Sequence, residues 1–246
     1  MALRDARNSL LPISYPYPPK NPYNRSKFAH HFLAFALQAG DFDFVRSYIK
    51  SLPATETIIS SEVFQRLSAE MLGQLSNALC GYDVSVVYYA RDPVARANSL
   101  AQQLIKAGKW TYEELSEKPP MLSVRADLTK LAGAFGHDAL IVRKFDKSAF
   151  VNGDLLADFA SVVGVDVPLS CDEKNSSITL ETAIRMDEHR RDTGVKGLLS
   201  VKDFMVGTTK FSLPDNAIKK IKAHSLDDVI WLYETFGVDL RAADAA

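Results

Sequence analysis

The chain has 246 residues, 47% of them hydrophobic, with a formal charge of −1 and a pI near 6.5. That length and composition support one substantial core in a single domain spanning 1–246, and the balanced charge argues against a general nucleic-acid-binding or membrane-adhering surface. No apolar run approaches the ~18 residues of a membrane span, and the charged opening Met1–Arg7 leads into prolines instead of a signal core, so a cytoplasmic location is expected.

Residues 1–27 read as an extended lead-in, broken by Pro12, Pro16, Pro18, Pro19 and Pro22. The apolar spacing of Phe28, Phe32, Leu33, Phe35, Ala36 and Leu37 predicts a helix, and Phe42 to Leu52 a second one closed by Pro53. Thr55 to Ser60 reads as a short buried strand, after which Ser61 is expected to cap a helix containing Val63, Phe64 and Leu67. Leu72–Leu79 is helical in pattern, and Val84–Ala90 reads as a buried strand. Helices follow from Pro93 to Lys106, from Thr111, and from Val124 to Phe135, the last stopped by Gly136. Ala139–Phe145 is a third strand, Leu155–Val163 a helix ended by Gly164, and 177–246 mostly helical. Strands alternating with helices predict an α/β fold of three α/β/α layers around a parallel sheet. Cys80 and Cys171 match no metal-ligand spacing and read as reduced, partly buried thiols.

The densest signal is Val86 to Ser99. Asp92 and Pro93 directly after a strand supply a helix N-cap and a first-turn proline. Arg91 therefore stands on the carboxyl lip of the strand, where open α/β sheets bind ligands. Ser99 lies 99 − 91 = 8 residues on, about two turns into the helix. A guanidinium fork and a hydroxyl at that place suit a phosphate.

This stretch resembles the 3′-phosphate-binding motif of the sulfotransferases that use 3′-phosphoadenosine 5′-phosphosulfate (PAPS). Arg91 and Ser99 match the two phosphate ligands, and Tyr89, Asp92 and Pro93 the surrounding frame. The order of later segments is similar to the bacterial carbohydrate-type members: Leu131 to Gly136, then Leu140 to Phe145, then Asn152-Gly153-Asp154-Leu155 and Asp158-Phe159. Upstream, His30-His31 and Ser60-Ser61-Glu62-Val63-Phe64 resemble the family's "His … Ser-Ser-Glu-x-Phe" segments, so the likeness covers roughly residues 10–240. It implies a P-loop nucleotide hydrolase-like fold and sulfuryl transfer from PAPS to a hydroxyl or amine, on a carbohydrate acceptor. The co-product would be 3′-phosphoadenosine 5′-phosphate, with no metal, no nucleic acid and no membrane span involved; oligomeric state is left open.

One departure stands out. The family opens with a strand and a Gly-rich loop that cradles the 5′-phosphosulfate, but here no glycine precedes Gly40. Gly194–Gly197 and Gly207–Lys210 follow no strand and read as turns. The first strand and phosphate loop are therefore expected to be missing and the activity of these residues low. The alternative is a non-catalytic, sulfotransferase-derived protein that binds a nucleotide or a partner.

For the chemistry, Glu62 is the candidate base, placed at the carboxyl end of a buried strand; its competing role is a first-turn glutamate facing the helix dipole. His30 and His31 point about 100° apart, so at most one faces a cleft, and His31 is the second catalytic candidate. Arg143, Lys144 and Arg96 are possible anion contacts for which a solvated charge is the simpler account. Tyr89, Trp110 and Tyr112 offer stacking surfaces but read first as packing.

Overall fold

The computed structural model of the chain describes residues 13–16, 18–23, 29–165 and 177–241. The lead-in residues 1–12, Phe28 and Cys171 lie outside the described residues. Contacts divide the chain into two units, Met1–Tyr89 with Ala126–Asp172, and Ala90–Arg125 with Glu173–Ala246.

The first unit is built on α1 (His31–Gln38), α2 (Phe42–Lys50) and α3 (Ala69–Ala78). The apolar residues of α1 bury Phe32, Leu33, Ala34, Ala36 and Leu37 against Val45, Tyr48, Ile49, Leu72 and Leu75. Each large side chain withdrawn from water here stabilises the unit by about 1.5–3 kcal/mol. Phe32 meets Tyr48 edge-on at 4.9 Å. The helices start where short polar side chains take up free N–H groups: Asp41 accepts from Phe44 N and Ser68 from Met71 N. The helix α6 (Val124–Phe135) matches its predicted bounds, and its Leu131, Ala134 and Phe135 pack against this core.

Strands β1 (Val86–Ala90) and β2 (Leu140–Lys144) pair in parallel, forming a two-stranded sheet among the described residues. The helix α7 (Leu155–Val162) follows, with Asp154 accepting from Leu156 N and Ala157 N. The strand expected over 55–60 is not formed. Only Thr57 pairs, in an isolated parallel bridge with Ser14, while Thr55 and Glu56 are exposed. At Ser60 the neighbouring chain is replaced by His30, whose N–H donates to Ser60 O and whose Nδ1 accepts from Ser60 N. A side chain that satisfies the backbone locally removes the need for a ladder. Within the described part of the lead-in, Ile13 and Tyr15 are buried and cluster with Val165, while Lys20 and Pro22 are exposed. The helix expected after Ser61 is a single 3₁₀ turn, Phe64–Arg66, because Ser61 Oγ accepts from Val63 N, two residues on, in a tight serine turn.

The second unit packs α4 (Pro93–Lys106), α5 (Tyr112–Glu117), α8 (Leu180–Thr193) and α9 (Asp215–Phe236). The core face of α4 is small at Ala97 and Ala101, which lets neighbours approach closely, and it meets Leu115, Ala183, Phe211, Ala217 and Ile221. On the same helix, Asn98 accepts from Leu213 N and Gln102 from Ile178 N, pinning two connecting segments to the core. Thr111 and Glu114 complete a reciprocal capping box at α5. Gly194 and Gly237 end α8 and α9 in the left-handed conformation that glycine adopts without strain. The chain is a mixed α/β structure, mostly helical, with a small parallel sheet.

Candidate functional site

The turn after β1 has the local structure that its sequence predicts. Ala90 ends the strand fully buried, and Asp92 Oδ1 accepts from Ala95 N at 2.7 Å with Pro93 in the first turn of α4. Arg91 occupies the single position between strand and cap. It is half-buried, as is Ser99 on α4. Ser99 is rotated about 200° from Ala97, so it lies off the line of Ala97, Ala101 and Ile105 that enters the core. Arg96 shares its face three residues earlier. The carboxyl end of β1 thus offers one guanidinium at the lip and a second, with a hydroxyl, along one side of the following helix.

The candidate base residues belong to the first unit and are brought together there. His31 is the first residue of α1, and its Nδ1 lies 2.7 Å from Ser61 Oγ. Its Nε2 lies 3.9 Å from Glu62 Oε1, with the histidine side chain 17% exposed and the glutamate 84%. Glu62 therefore stands on an exposed turn, and the buried strand that was to carry it does not exist. His30 is the buried one of the pair, engaged with Ser60. Ser61 is the residue that sequence reasoning passed over; its hydroxyl meets the imidazole next to the point where His30 holds the Ser60 backbone.

A second group unites the carboxyl ends of the two strands. Asp158 on α7 is fully buried and accepts from Tyr89 Oη at 2.8 Å, Arg143 Nε at 3.2 Å, Arg143 Nη2 at 2.5 Å and Val151 N at 3.2 Å. Burial by itself would raise the pKa of this carboxyl, but the hydrogen bonds from Arg143 and Tyr89 outweigh it and hold the group below the usual range. The Tyr89 hydroxyl is pushed well above its ordinary value, by burial first and by the Asp158 bond second. Phe145 and Phe150 stand edge-on to the Tyr89 ring at 6.4 and 6.0 Å. Asn152 adopts a left-handed φ of 54° in the adjoining turn, a conformation asparagine tolerates better than most residues. Arg143 is thus neither a solvated charge nor an open anion contact, and Tyr89 is a packed hydrogen-bond donor. The one sequence signal for the network is an aspartate inside the apolar helix Leu155-Leu156-Ala157-Asp158-Phe159.

No protein-family model matches this chain, and no curated protein or solved structure does.

The other sequence candidates fall into place individually. Tyr112 packs on Phe211 and donates its hydroxyl to Ser212 O, while Trp110 is 37% exposed beside Lys109. Lys144 pairs with Asp146 at 3.8 Å. Gly194 is a helix stop and Gly207–Lys210 a loop, with Glu181 accepting from Thr209 Oγ1. Cys80 is exposed, correcting the expectation of partial burial, because it lies in the turn after α3. It lines a groove of about 440 Å³ with Ser76, Tyr82, Asp83 and Asp138, at the amino ends of the strands. That groove lies opposite the lip where α/β sheets present their ligand-binding turns. Among the described residues no three His, Cys, Asp or Glu side chains gather as a metal site, and no helix is long and apolar enough to cross a membrane.

Proposed function

We propose that this protein recognises a 3′-phosphorylated adenine nucleotide of the PAPS type through Arg91 and Ser99, as a sulfotransferase-like protein. The observation that carries this reading is the uninterrupted order of strand, Arg91, Asp92 cap, Pro93 and helix, with Ser99 off the core face of α4. A guanidinium binds phosphate bidentately and stays charged at any physiological pH. The serine hydroxyl supplies a neutral donor, and Arg96 on the same helix face adds positive charge. In this reading β1 and β2 are the central strands of a three-layer, P-loop-like fold. The reaction is transfer of a sulfuryl group to a hydroxyl or amine of a carbohydrate, in the cytoplasm. Sulfuryl transfer needs in-line positioning, charge stabilisation and a base for the acceptor, and His31 and Glu62 are the base candidates.

A second reading, nucleotide or partner binding without catalysis, is favoured by one observation. Glu62 is 84% exposed on a turn and lacks the dry setting that tunes a general base. Calorimetry with 3′-phosphoadenosine 5′-phosphate and with adenosine 5′-monophosphate tests the nucleotide recognition proposed for Arg91 and Ser99. Binding that depends on the 3′-phosphate supports it, and equal affinities refute it. Sulfuryl transfer from PAPS to an oligosaccharide panel then separates enzyme from binder.

A further inference from the structure

We propose that Ser61, His31 and Glu62 form a nucleophilic acyl-transfer centre for small carboxylic esters, an activity separate from nucleotide recognition and not dependent on it. A serine is a weak nucleophile until a base removes its proton, and the structural signature of activation is a base in hydrogen-bond reach that is oriented by a third group. The nucleophile and the base are in hydrogen-bond contact within the first unit, and the acid stands beside the base, beyond hydrogen-bond distance. Ser61 Oγ stands 2.7 Å from His31 Nδ1, and Glu62 Oε1 stands 3.9 Å from His31 Nε2.

The proton positions follow from the neighbours. Ser61 Oγ accepts the Val63 N–H at 3.1 Å and has its own proton to give, and the proposed chemistry uses the tautomer in which that proton is directed at Nδ1. Neutral His31 then carries its proton on Nε2, facing the glutamate. This is the Ser–His–acid order with the two ring nitrogens exchanged, and such constellations are recognised by roles and geometry. The Val63 N–H also stabilises negative charge as it develops on Oγ. The setting is held rigid from both sides. His30 N donates to Ser60 O and Ser60 N donates to His30 Nδ1, locking the 60–62 backbone to the start of α1, while the His31 ring packs edge-on to Phe35 at 6.5 Å.

In the first step Ser61 Oγ bonds to the ester carbonyl carbon and its proton passes to Nδ1. The bond to the leaving alcohol then breaks and the alcohol takes that proton. Water next adds to the acyl-serine, giving its proton to Nδ1. The bond to Oγ breaks, the proton returns to Ser61, and carboxylic acid is released. No metal, oxidant or second cofactor enters.

An alkyl fluorophosphonate tests this on the intact chain, since it bonds to an activated Oγ with loss of fluoride. Incubation at pH 7.5 followed by intact mass and peptide mapping should give a single adduct on Ser61, absent when the protein is heat-unfolded beforehand. His31→Asn should slow the labelling at least ~100-fold, the lower range for loss of a general base; if that variant does not fold, His31→Gln, which keeps the side chain's length and polarity, supplies the same comparison. No adduct, an adduct on other serines only, or a rate that does not need the folded His31 site would each overturn the proposal. None of these outcomes bears on 3′-phosphate binding, which is read separately by calorimetry.

Discussion

Replacing Arg143 by Ala leaves the Asp158 carboxylate at 1% side-chain exposure without its charge partner. Of the four hydrogen bonds it accepts, the two from the guanidinium disappear and those from Tyr89 and Val151 remain. Breaking a buried ion pair from one side costs about 3–5 kcal/mol. Arg143 is itself 37% exposed, so water reaches part of the vacated space, and the expected loss is at the low end, ~3 kcal/mol. For a chain of this size that corresponds to a fall in Tm of roughly 6–12 °C. Urea unfolding at pH 7 and pH 3 supplies the second half of the test. The folded-state pKa of Asp158 is depressed, so its contribution is present above the unfolded carboxyl value, 3.8, and is lost as pH falls through the folded value. The gap between wild type and Arg143→Ala should therefore be largest at neutral pH and shrink in acid. A loss under about 1 kcal/mol at pH 7, or a gap that widens in acid, would refute the view that this network ties the strand ends to α7.

Asp92→Ala removes the cap of α4 and should cost about 1 kcal/mol in denaturant unfolding, with Asp92→Asn close to neutral; equal stability of all three proteins would show that the cap does not anchor the turn. Gly207→Ala should destabilise the second unit, because its φ of +72° lies in the left-handed region and its Cβ would displace the Glu181 side chain from Thr209. The adverse φ alone accounts for about 1–2 kcal/mol, so an unchanged Tm would mean that the 206–210 loop is free to move off α8.

Local chemistry made much of the fold readable in the sequence. The Asp92-Pro93 start of α4, the Val124–Phe135 helix before Gly136 and the two β-branched strands appear where spacing and caps place them. What was misread depends on partners distant in sequence. Thr55–Ser60 has a strand-like composition, but Ser14 and the His30 side chain take its backbone groups, so no ladder extends along it. That misplaced strand also misplaced Glu62 and hid Ser61, which is separated by 30 residues from the imidazole it meets. Asp158 likewise joins Tyr89 across 69 residues, and neither periodicity nor propensity encodes such a pairing. Only the rarity of an unpaired charge inside an apolar helix signals it.

The proposed binding of a 3′-phosphate by the turn between β1 and α4 is tested by calorimetric titration of the wild type and Arg91→Ala with 3′-phosphoadenosine 5′-phosphate at moderate salt. Loss of a charged hydrogen-bond partner is worth about 1.5–3 kcal/mol, so affinity should be roughly 10- to 150-fold weaker in Arg91→Ala. Adenosine 5′-monophosphate should bind both proteins equally. Identical affinity of the two proteins for the 3′-phosphorylated nucleotide would contradict the proposed binding.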